Sequence, residues 1–359
     1  KRMTDKKYPH VAIIILNWNG WKDTIECLES VYQITYPNYD VIVVDNGSED
    51  ESVEKIKEYA EGNIVVESKF FKYEPSNKPI RIIEYTREEA EAGGGKEEEI
   101  DDLPSNKRMI IIKNEKNYGF AEGNNIGMRY ALKALNPDYV LLLNNDTVVD
   151  RRFLEELVKL AESDEKIGIL NPIIYWYNEP EKIQFAGKNI DWYGLLHSFL
   201  LQVNLININV DYTEDENIKS EIAIGACALI KKSVILKVGL LSTEYYYQAE
   251  DTDYSIRTVR GGFSIFCIPT SKIWHKGSVS LNKVNWDKLR YFIRNRFIFR
   301  AKYGSMFQLI GFTLLFFLFE GPFNLLYYVI HFRSFRVISG FFKGVKEGLI
   351  YVFKLRLRS

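Results

Sequence analysis

Cysteine and histidine are scarce, with three Cys and four His in 359 residues. The thiols, Cys27, Cys227 and Cys267, are far apart, odd in number and mostly set in apolar strings, so neither a disulfide framework nor a zinc spacing is present. A reducing, cytosolic setting is expected. Gln is rare too, with five residues against many Lys, Glu, Ile and Tyr, a composition that resembles heat-adapted proteins. Net charge is almost lacking, at -1, and no nucleic-acid partner is expected. No secretory leader is expected either: Lys1 to His10 is polar, and the first apolar run, Val11 to Leu16, is strand-sized.

What the chain does have is hydrophobic content, 46%, enough for one large α/β domain of about 250 residues with an appendage, or for two modest domains. Strands are predicted over Val11 to Leu16, Tyr39 to Asp45, Met109 to Lys113 and Tyr139 to Leu143. Helices are predicted over Trp21 to Tyr32, Asp50 to Tyr59 and Ala121 to Leu135. Continuous Val, Ile and Leu strings separated by helices indicate a mostly parallel central sheet with helices on both faces and right-handed crossovers. Ligands collect where the strands of such sheets end. Strand-like runs at Ile167 to Leu170, Ile222 to Ile230 and Ser264 to Ile268 extend the same sheet.

Residues 67–108 interrupt this alternation. The core of the stretch, Arg87 to Asp102, holds eight acids, two basic residues and three consecutive glycines, and reads as a solvated, partly mobile insertion. It is not a phosphate loop, because Glu97 follows Gly95-Lys96 where Ser or Thr is required.

The charge is uneven: residues 286–359 carry thirteen Lys and Arg against three acids. From Ser305 to His331 the chain is strongly apolar, with Glu320 as its only charge and Gly321-Pro322 in its middle. A single crossing needs about 20 apolar residues, but Gly-Pro at the centre is expected to break the helix. Two short helices lying in or dipping into one leaflet are expected, followed by a basic, aromatic segment, Arg333 to Arg358, suited to an anionic lipid surface. Residues 1–285 would then form the α/β domain and residues 286–359 a membrane-association region. The alternative is a hydrophobic hairpin buried in the fold or in a homodimer.

Several polar constellations could carry chemistry. Leu141 to Leu143 run into Asn144-Asn145-Asp146, where a carboxylate at a strand end could hold a hard divalent cation and leave positions open for substrate phosphates. Equally, these residues could make a turn with a helix cap. Asp45 ends a second strand, where it could accept hydrogen bonds from a ribose or a base edge; Asn17-Trp18-Asn19-Gly20 ends the first. Asn117 to Gly127 is a Gly- and Asn-rich helix start whose small residues would let an anionic ligand approach. Gln248 to Asp253 crowds Glu250, Asp251 and Asp253 together; like charges raise at least one pKa, as a general base requires. In that cluster Asp251 is assigned to chemistry, and Asp253 with Arg257 to structure. Trp274-His275-Lys276-Gly277-Ser278 offers a lone His that, beside Asp146, could complete a metal site.

In order, Asn-Trp-Asn-Gly, Val-Asp-Asn-Gly-Ser, Asn-x-Gly-Phe-Ala-x-Gly-x-Asn, Leu-Asn-Asn-Asp, Glu-Asp-x-Asp and His-x-x-Gly-x-Ser resemble the motifs of family 2 glycosyltransferases of the type A fold, and more closely their rhamnosyltransferase-like branch. The resemblance covers roughly residues 10 to 300. It implies an inverting glycosyltransferase that moves a sugar from a nucleotide-diphosphate donor (UDP-, GDP- or dTDP-linked) to a hydroxyl of an acceptor glycan. With the apolar, basic C-terminal region, a lipid-linked acceptor in polysaccharide or N-glycan assembly at the cytoplasmic face of a membrane is expected. It further implies that Asn17, Asn19, Asp45, Gly119, Asn124, Asn144 and Asn145 line the nucleotide-sugar site, that Asp251 with Glu250 is catalytic, and that Asp146 and His275 hold Mg2+ or Mn2+. One departure stands out: Asn144 replaces the first acid of the family's Asp-x-Asp element, which gives His275 more of the metal's coordination. Tyr291 to Tyr303, with Arg294-Asn295-Arg296, looks like the family's link toward the membrane. A competing reading is a catalytically inactive transferase fold that binds at a membrane. Another is a nucleotidyltransferase, but Asn17 to Lys22 lacks that class's Gly-, Arg- and Lys-bearing loop.

Overall fold

Residues 8–189, 216–246, 249–277, 286–332 and 335–356 are described by the computed structural model. They belong to two units. The first comprises Lys1–Asn189, Val210–Ser242 and Tyr254–Gly277; the second comprises Ile190–Asn209, Thr243–Asp253 and Ser278–Ser359.

In the first unit, strands and helices alternate as the apolar strings demand. The chain runs β1 (Val11–Asn17), α1 (Trp21–Val31), β2 (Tyr39–Asp45), α2 (Ser52–Glu61), β3 (Arg81–Thr86), α3 (Arg87–Ala92), β4 (Arg108–Lys113), α4 (Gly119–Tyr130) and β5 (Tyr139–Asn144). It continues through β6 (Thr147–Val149), α5 (Phe153–Ala161), β7 (Ile167–Trp176), β8 (Ile183–Phe185), β9 (Ile218–Ser220), β10 (Cys227–Lys231) and α6 (Lys232–Val238). Helix α7 (Glu250–Arg260) starts in the second unit and ends in the first, which β11 (Ser264–His275) completes.

The strands form one sheet in the order β3-β4-β2-β1-β5-β10-β7-β11-β6, with β8 beside β7 and β9 beside β11. The run β3 to β5 is parallel throughout, whereas β10 and β6 enter antiparallel. Strand alternation sorts the core into two layers. Val11, Ile13, Ile15, Val41, Val43, Leu141 and Leu143 pack with Ile25, Leu28, Ile56 and Leu157 of α1, α2 and α5. Ala12, Ile14, Ile42, Val44, Val140 and Leu142 pack with Ile126, Met128 and Val234 of α4 and α6. The expected α/β architecture is thus borne out.

The acidic stretch corrects its expectation. Rather than a mobile insertion, it adds β3 to the edge of the sheet, paired with β4 from Arg81↔Arg108 to Thr86↔Lys113, and buries Ile83 and Tyr85. A capping box between Thr86 and Glu89 opens α3, and Gly93 at φ 111° closes it. Several of its acids are partnered: Glu84 by Lys57 at 2.6 Å and Lys113 at 3.0 Å, and Glu97 by the hydroxyls of Tyr85 and Tyr130, each at 2.8 Å. Composition reported the charge but not the cations waiting on neighbouring elements.

The second unit contains α8 (Trp286–Tyr303), α9 (Met306–Leu315), α10 (Gly321–Phe332) and α11 (Arg336–Arg356). Its core is Ile293, Phe297, Phe312, Phe316, Phe341 and Val345. Gly344 and Gly348 let α11 lie close against α8, since a Cβ on them would stand 2.5 Å from the Arg290 carbonyl oxygen and 2.8 Å from Phe297 Cβ. Gly321-Pro322 does not split the apolar stretch in two. A π-turn over Phe316–Glu320, with the Gly321 N–H donating to the Phe316 carbonyl, joins α9 to α10 and accommodates the proline, so one helix runs over Met306–Ile330. Its one charge, Glu320, is ion-paired with Arg296 of α8. By length and composition this 25-residue helix can cross a membrane, and 28% of its most apolar 18-residue stretch is buried. Arg333 and Arg358, the expected ends of the basic segment, lie outside the described residues.

Candidate active site

Parallel pairing sets the ends of β2, β1 and β5 side by side, with Asn17 opposite Asp45 and Leu16 opposite Asn144. Asp45 is buried at its strand end and accepts from Asn17 Nδ2 (2.8 Å), the Ser48 hydroxyl (2.6 Å) and the Ser48 N–H (3.0 Å). Asn17 is fully buried as well, and its Oδ1 accepts from the Thr24 hydroxyl at 2.7 Å. Thr24 Oγ1 accepts in turn from Asn145 Nδ2 at 3.0 Å. A hydrogen-bonded chain therefore runs Asp45, Asn17, Thr24, Asn145 across three strand ends and α1. With both ends of its amide used inside the protein, Asn17 has no surface to offer a ligand, contrary to the nucleoside contact expected of it. Oδ2 of Asp45 keeps unused acceptor capacity. Asn19, exposed at φ 49°, accepts from the Glu49 N–H at 2.8 Å and ties the first loop to the second.

The start of α4 differs from its expectation in the same way. Gly123 and Gly127 face the sheet, not a ligand: a Cβ on Gly123 would meet Leu16 Cδ1 at 2.6 Å, and one on Gly127 would meet Ile14 and Val44 at 2.9 and 3.0 Å. Asn124 is buried and donates to the Phe120 carbonyl of its own helix at 2.9 Å. Gly119, at φ 81°, receives Asn46 Nδ2 on its carbonyl at 3.2 Å and gives its N–H to Asn117 Oδ1 at 2.8 Å. Asn46, the residue after Asp45, thus organises this loop.

Asn145 and Asp146 turn the chain from β5 into β6, while Asn144 stays half-buried at the end of β5. Strand β6 pairs antiparallel with β11, Thr147 opposite His275, and this brings the imidazole to the carboxylate: His275 Nε2 lies 3.1 Å from Asp146 Oδ1. The other nitrogen, Nδ1, is 2.8 Å from Gln184 Oε1 of β8. Two ligands bound at right angles, each about 2.1 Å from one hard cation, stand about 3.0 Å apart, so the pair fits a divalent ion. Among the described residues no group of three or more His, Cys, Asp and Glu side chains joins in a metal-holding cluster; further ligands would be amide oxygens, water or substrate phosphate.

Beside this pair, the Lys276 N–H donates to the Asp146 carbonyl at 3.0 Å and its ammonium meets Asp23 and Glu26 of α1, each at 2.6 Å. Burial opposes the charge, yet the two carboxylates outweigh it and hold the Lys276 pKa above its ordinary value. Sequence reasoning missed Thr24 and Gln184, which stand in no motif, and gave no site role to Ser48 and Lys276, which lie inside motifs whose Asp45 and His275 drew the assignment. Ser278 lies outside the described residues.

In the second unit, Ala249 at φ 75°, a strained conformation for a residue with a Cβ, precedes the first turn of α7. Burial, then the neighbouring Asp251 charge, push the Glu250 carboxyl up to about 8. Asp251 is half-buried and accepts from the Thr252 N–H at 2.7 Å. Asp253 is fully buried against Lys302 Nζ (2.8 Å) and the Tyr303 hydroxyl (2.6 Å). In the first unit, Arg257 donates to the carbonyls of Val238 and Leu240 at 2.7 and 2.9 Å. Gln248 lies outside the described residues.

A mixed sheet whose parallel strands end in amide and carboxylate side chains, with a His–Asp pair at one of those ends, has the architecture of the glycosyltransferase type A fold. The sequence profile of glycosyl transferase family 2 matches residues 12–84 and 95–239, and the chain belongs to that family. The low-salt glycan biosynthesis hexosyltransferase Agl10 of Haloferax volcanii is 26% identical over 196 residues, covering 54% of this chain and 61% of that protein. The dTDP-rhamnosyl transferase RfbF of Shigella flexneri is 22% identical over 211 residues, 56% of this chain and 66% of that one. The matches thus span a little under two thirds of each relative. In fold, the chain is similar to the mannosyltransferase PcManGT from Pyrobaculum calidifontis, solved with GDP-Man and Mn2+: TM-score 0.52, 14% identity, 95% of this chain and 87% of that one.

Proposed function

We propose that the protein is an inverting glycosyltransferase that transfers a sugar from a nucleotide-diphosphate donor (UDP-, GDP- or dTDP-linked) to a hydroxyl of a lipid-linked acceptor glycan at a membrane surface, in polysaccharide or N-glycan assembly. The observation that carries the reading is the Asp146–His275 pair at the end of β5, beside the buried Asp45 at the end of β2. Asp45 and Asn19 receive the nucleoside, with Asn17 and Thr24 holding Asp45 in place. Asn144 and Asn145 border the sugar. Asp146 and His275 would hold a divalent cation, Mg2+ or Mn2+, which would supply positive charge to the departing diphosphate; the Mn2+ in the PcManGT structure supports the use of a divalent ion.

Asp251 takes the acceptor hydroxyl's proton. The freed oxygen bonds to the anomeric carbon while the bond from that carbon to the diphosphate oxygen breaks, its electron pair leaving with the diphosphate; attack from the opposite side inverts the centre. Asp251 is favoured because Asp253 is committed to Lys302 and Tyr303, and Glu250 keeps its proton to about pH 8. The helix over Met306–Ile330, apolar and largely unburied, supports the membrane setting.

The reading is tested by screening nucleotide sugars for thermal stabilisation that requires Mn2+, then following radiolabelled transfer. Asp251→Asn should fold and bind donor yet lose turnover about 100-fold or more. Retained turnover would remove Asp251 as the base, and absence of any metal-dependent donor hydrolysis in the parent chain would instead favour a binding module.

A further inference from the structure

We infer that Gln184 is a positioning residue for a divalent cation at Asp146 and His275, acting by fixing the tautomer of His275; this rests on the metal reading above and deepens it.

Gln184 is the middle residue of β8, which returns antiparallel along β7 with Ile174 opposite Phe185 and Tyr175 opposite Ile183. The Trp176 N–H closes the hairpin on the Lys182 carbonyl at 2.9 Å. Ile183 and Phe185 pack against Ile173, Tyr175, Ala186 and Cys267. The register slips between these two pairs, so Gln184 is the extra residue of a β-bulge, which aims its side chain at His275. There the backbone at Gly277, φ 71°, passes so close that a Cβ on it would stand 2.6 Å from the Trp176 ring and 3.3 Å from Gln184 Nε2. A side chain at 277 would therefore crowd the Gln184 amide.

Its oxygen meets His275 Nδ1 at 2.8 Å. An amide oxygen only accepts, so Nδ1 carries the proton, and in the neutral ring Nε2 presents its lone pair. That lone pair faces Asp146 Oδ1 at 3.1 Å. Two acceptors at this distance repel unless a positive charge joins them. Without Gln184, the neutral ring would place its proton on Nε2 and donate it to Asp146, closing the site with a hydrogen bond of its own. Between the two neutral tautomers Gln184 selects the one that leaves both atoms aimed at a common cation, the arrangement in which a second ring partner sets a ligating histidine.

The test uses the full chain and Mn2+ alone, with free Mn2+ followed by electron paramagnetic resonance and folding checked by thermal melts. Gln184→Met, which keeps reach but loses the acceptor, should weaken Mn2+ binding about 10- to 100-fold at an unchanged melting temperature. Gln184→Glu, which restores an oxygen, should return affinity to within about threefold of the parent on the same scale. If Gln184→Met fails to fold, Gln184→Asn, whose shorter amide cannot reach Nδ1, carries the same expectation. Parental affinity in the Met or Asn variant while His275→Ala abolishes binding would overturn the role of Gln184 and leave the metal reading intact. No Mn2+ binding by the parent chain, with or without nucleoside diphosphate, would overturn both.

Discussion

Nζ of Lys78 lies 2.8 Å from Oε2 of Glu29, and both side chains are buried. Glu29 also accepts from the Tyr59 hydroxyl (2.8 Å), Gln33 Nε2 (2.9 Å) and the Glu74 N–H (2.8 Å), so this single carboxylate ties the chain before β3 to α1 and α2. Burial holds the Lys78 pKa below its ordinary value, and Glu29 offsets only part of that. Lys78→Met leaves a buried carboxylate without its cation and should cost about 3–5 kcal/mol. Adding Glu29→Gln should restore much of the loss. Urea unfolding at constant m-value measures both.

Glu250 should give stability a distinctive pH dependence. Its folded carboxyl keeps the proton to about 8, against 4.5 for the ordinary group. Between those values the folded chain binds more protons than the unfolded chain, so stability falls as pH rises through the window. Melting temperatures at pH 5 and pH 8 should therefore differ more in the parent than in Glu250→Gln, by a free energy on the order of a few kcal/mol.

Asp251 and Asp253 should separate chemistry from structure. Asp253→Ala strands Lys302 and Tyr303 beside a buried gap and should cost about 2–3 kcal/mol, visible as a lowered melting point. Asp251→Asn should leave the melting point in place and stop transfer. Equal melting shifts in the two variants would refute the division.

Gly127→Ala adds a Cβ within 2.9 Å of Ile14 and 3.0 Å of Val44, atoms of packed strands that cannot swing away. A loss of about 1–3 kcal/mol is expected. Because the crowding lies on the sheet side of α4, the affinity for a nucleoside diphosphate among molecules that remain folded should stay at the parental value.

Leu318 and Phe323 are exposed on the long apolar helix, and Lys343, Lys346 and Lys354 are exposed on α11. Leu318→Glu should lower co-sedimentation with lipid vesicles about tenfold or more, since a charge in an apolar face costs about 2.5–3.5 kcal/mol. Replacing the three lysines with Gln should weaken binding only to vesicles containing anionic lipid, by about 1 kcal/mol each.

Much of the architecture could be read from the order of residues alone, because strands such as Val11–Asn17 and Tyr39–Asp45 announce themselves by apolar runs ending in Asn or Asp, and neighbouring parallel strands share one rim. The partnership of Asp146 with His275 could only be suspected, since it depends on β6 pairing with β11, a contact between distant segments. Composition misjudged residues 67–108 because charge counted over a window ignores cations on other elements, such as Lys57 and Lys113. Local rules misjudged Gly321-Pro322 because they assume α-type hydrogen bonding on both sides of the proline, and the π-turn before it breaks that assumption. Glycines read as room for a ligand proved to be room for a helix on a sheet.

The Thr24 hydroxyl joins the Asp45–Asn17 end of the rim to Asn145, the residue beside Asp146. On the proposed function, nucleobase preference and leaving-group activation would share a mechanical linkage. Changes that refit the first for a new donor will be felt by the second, so a switch of donor in this scaffold needs compensating substitutions on α1 as well as in the residues that touch the base.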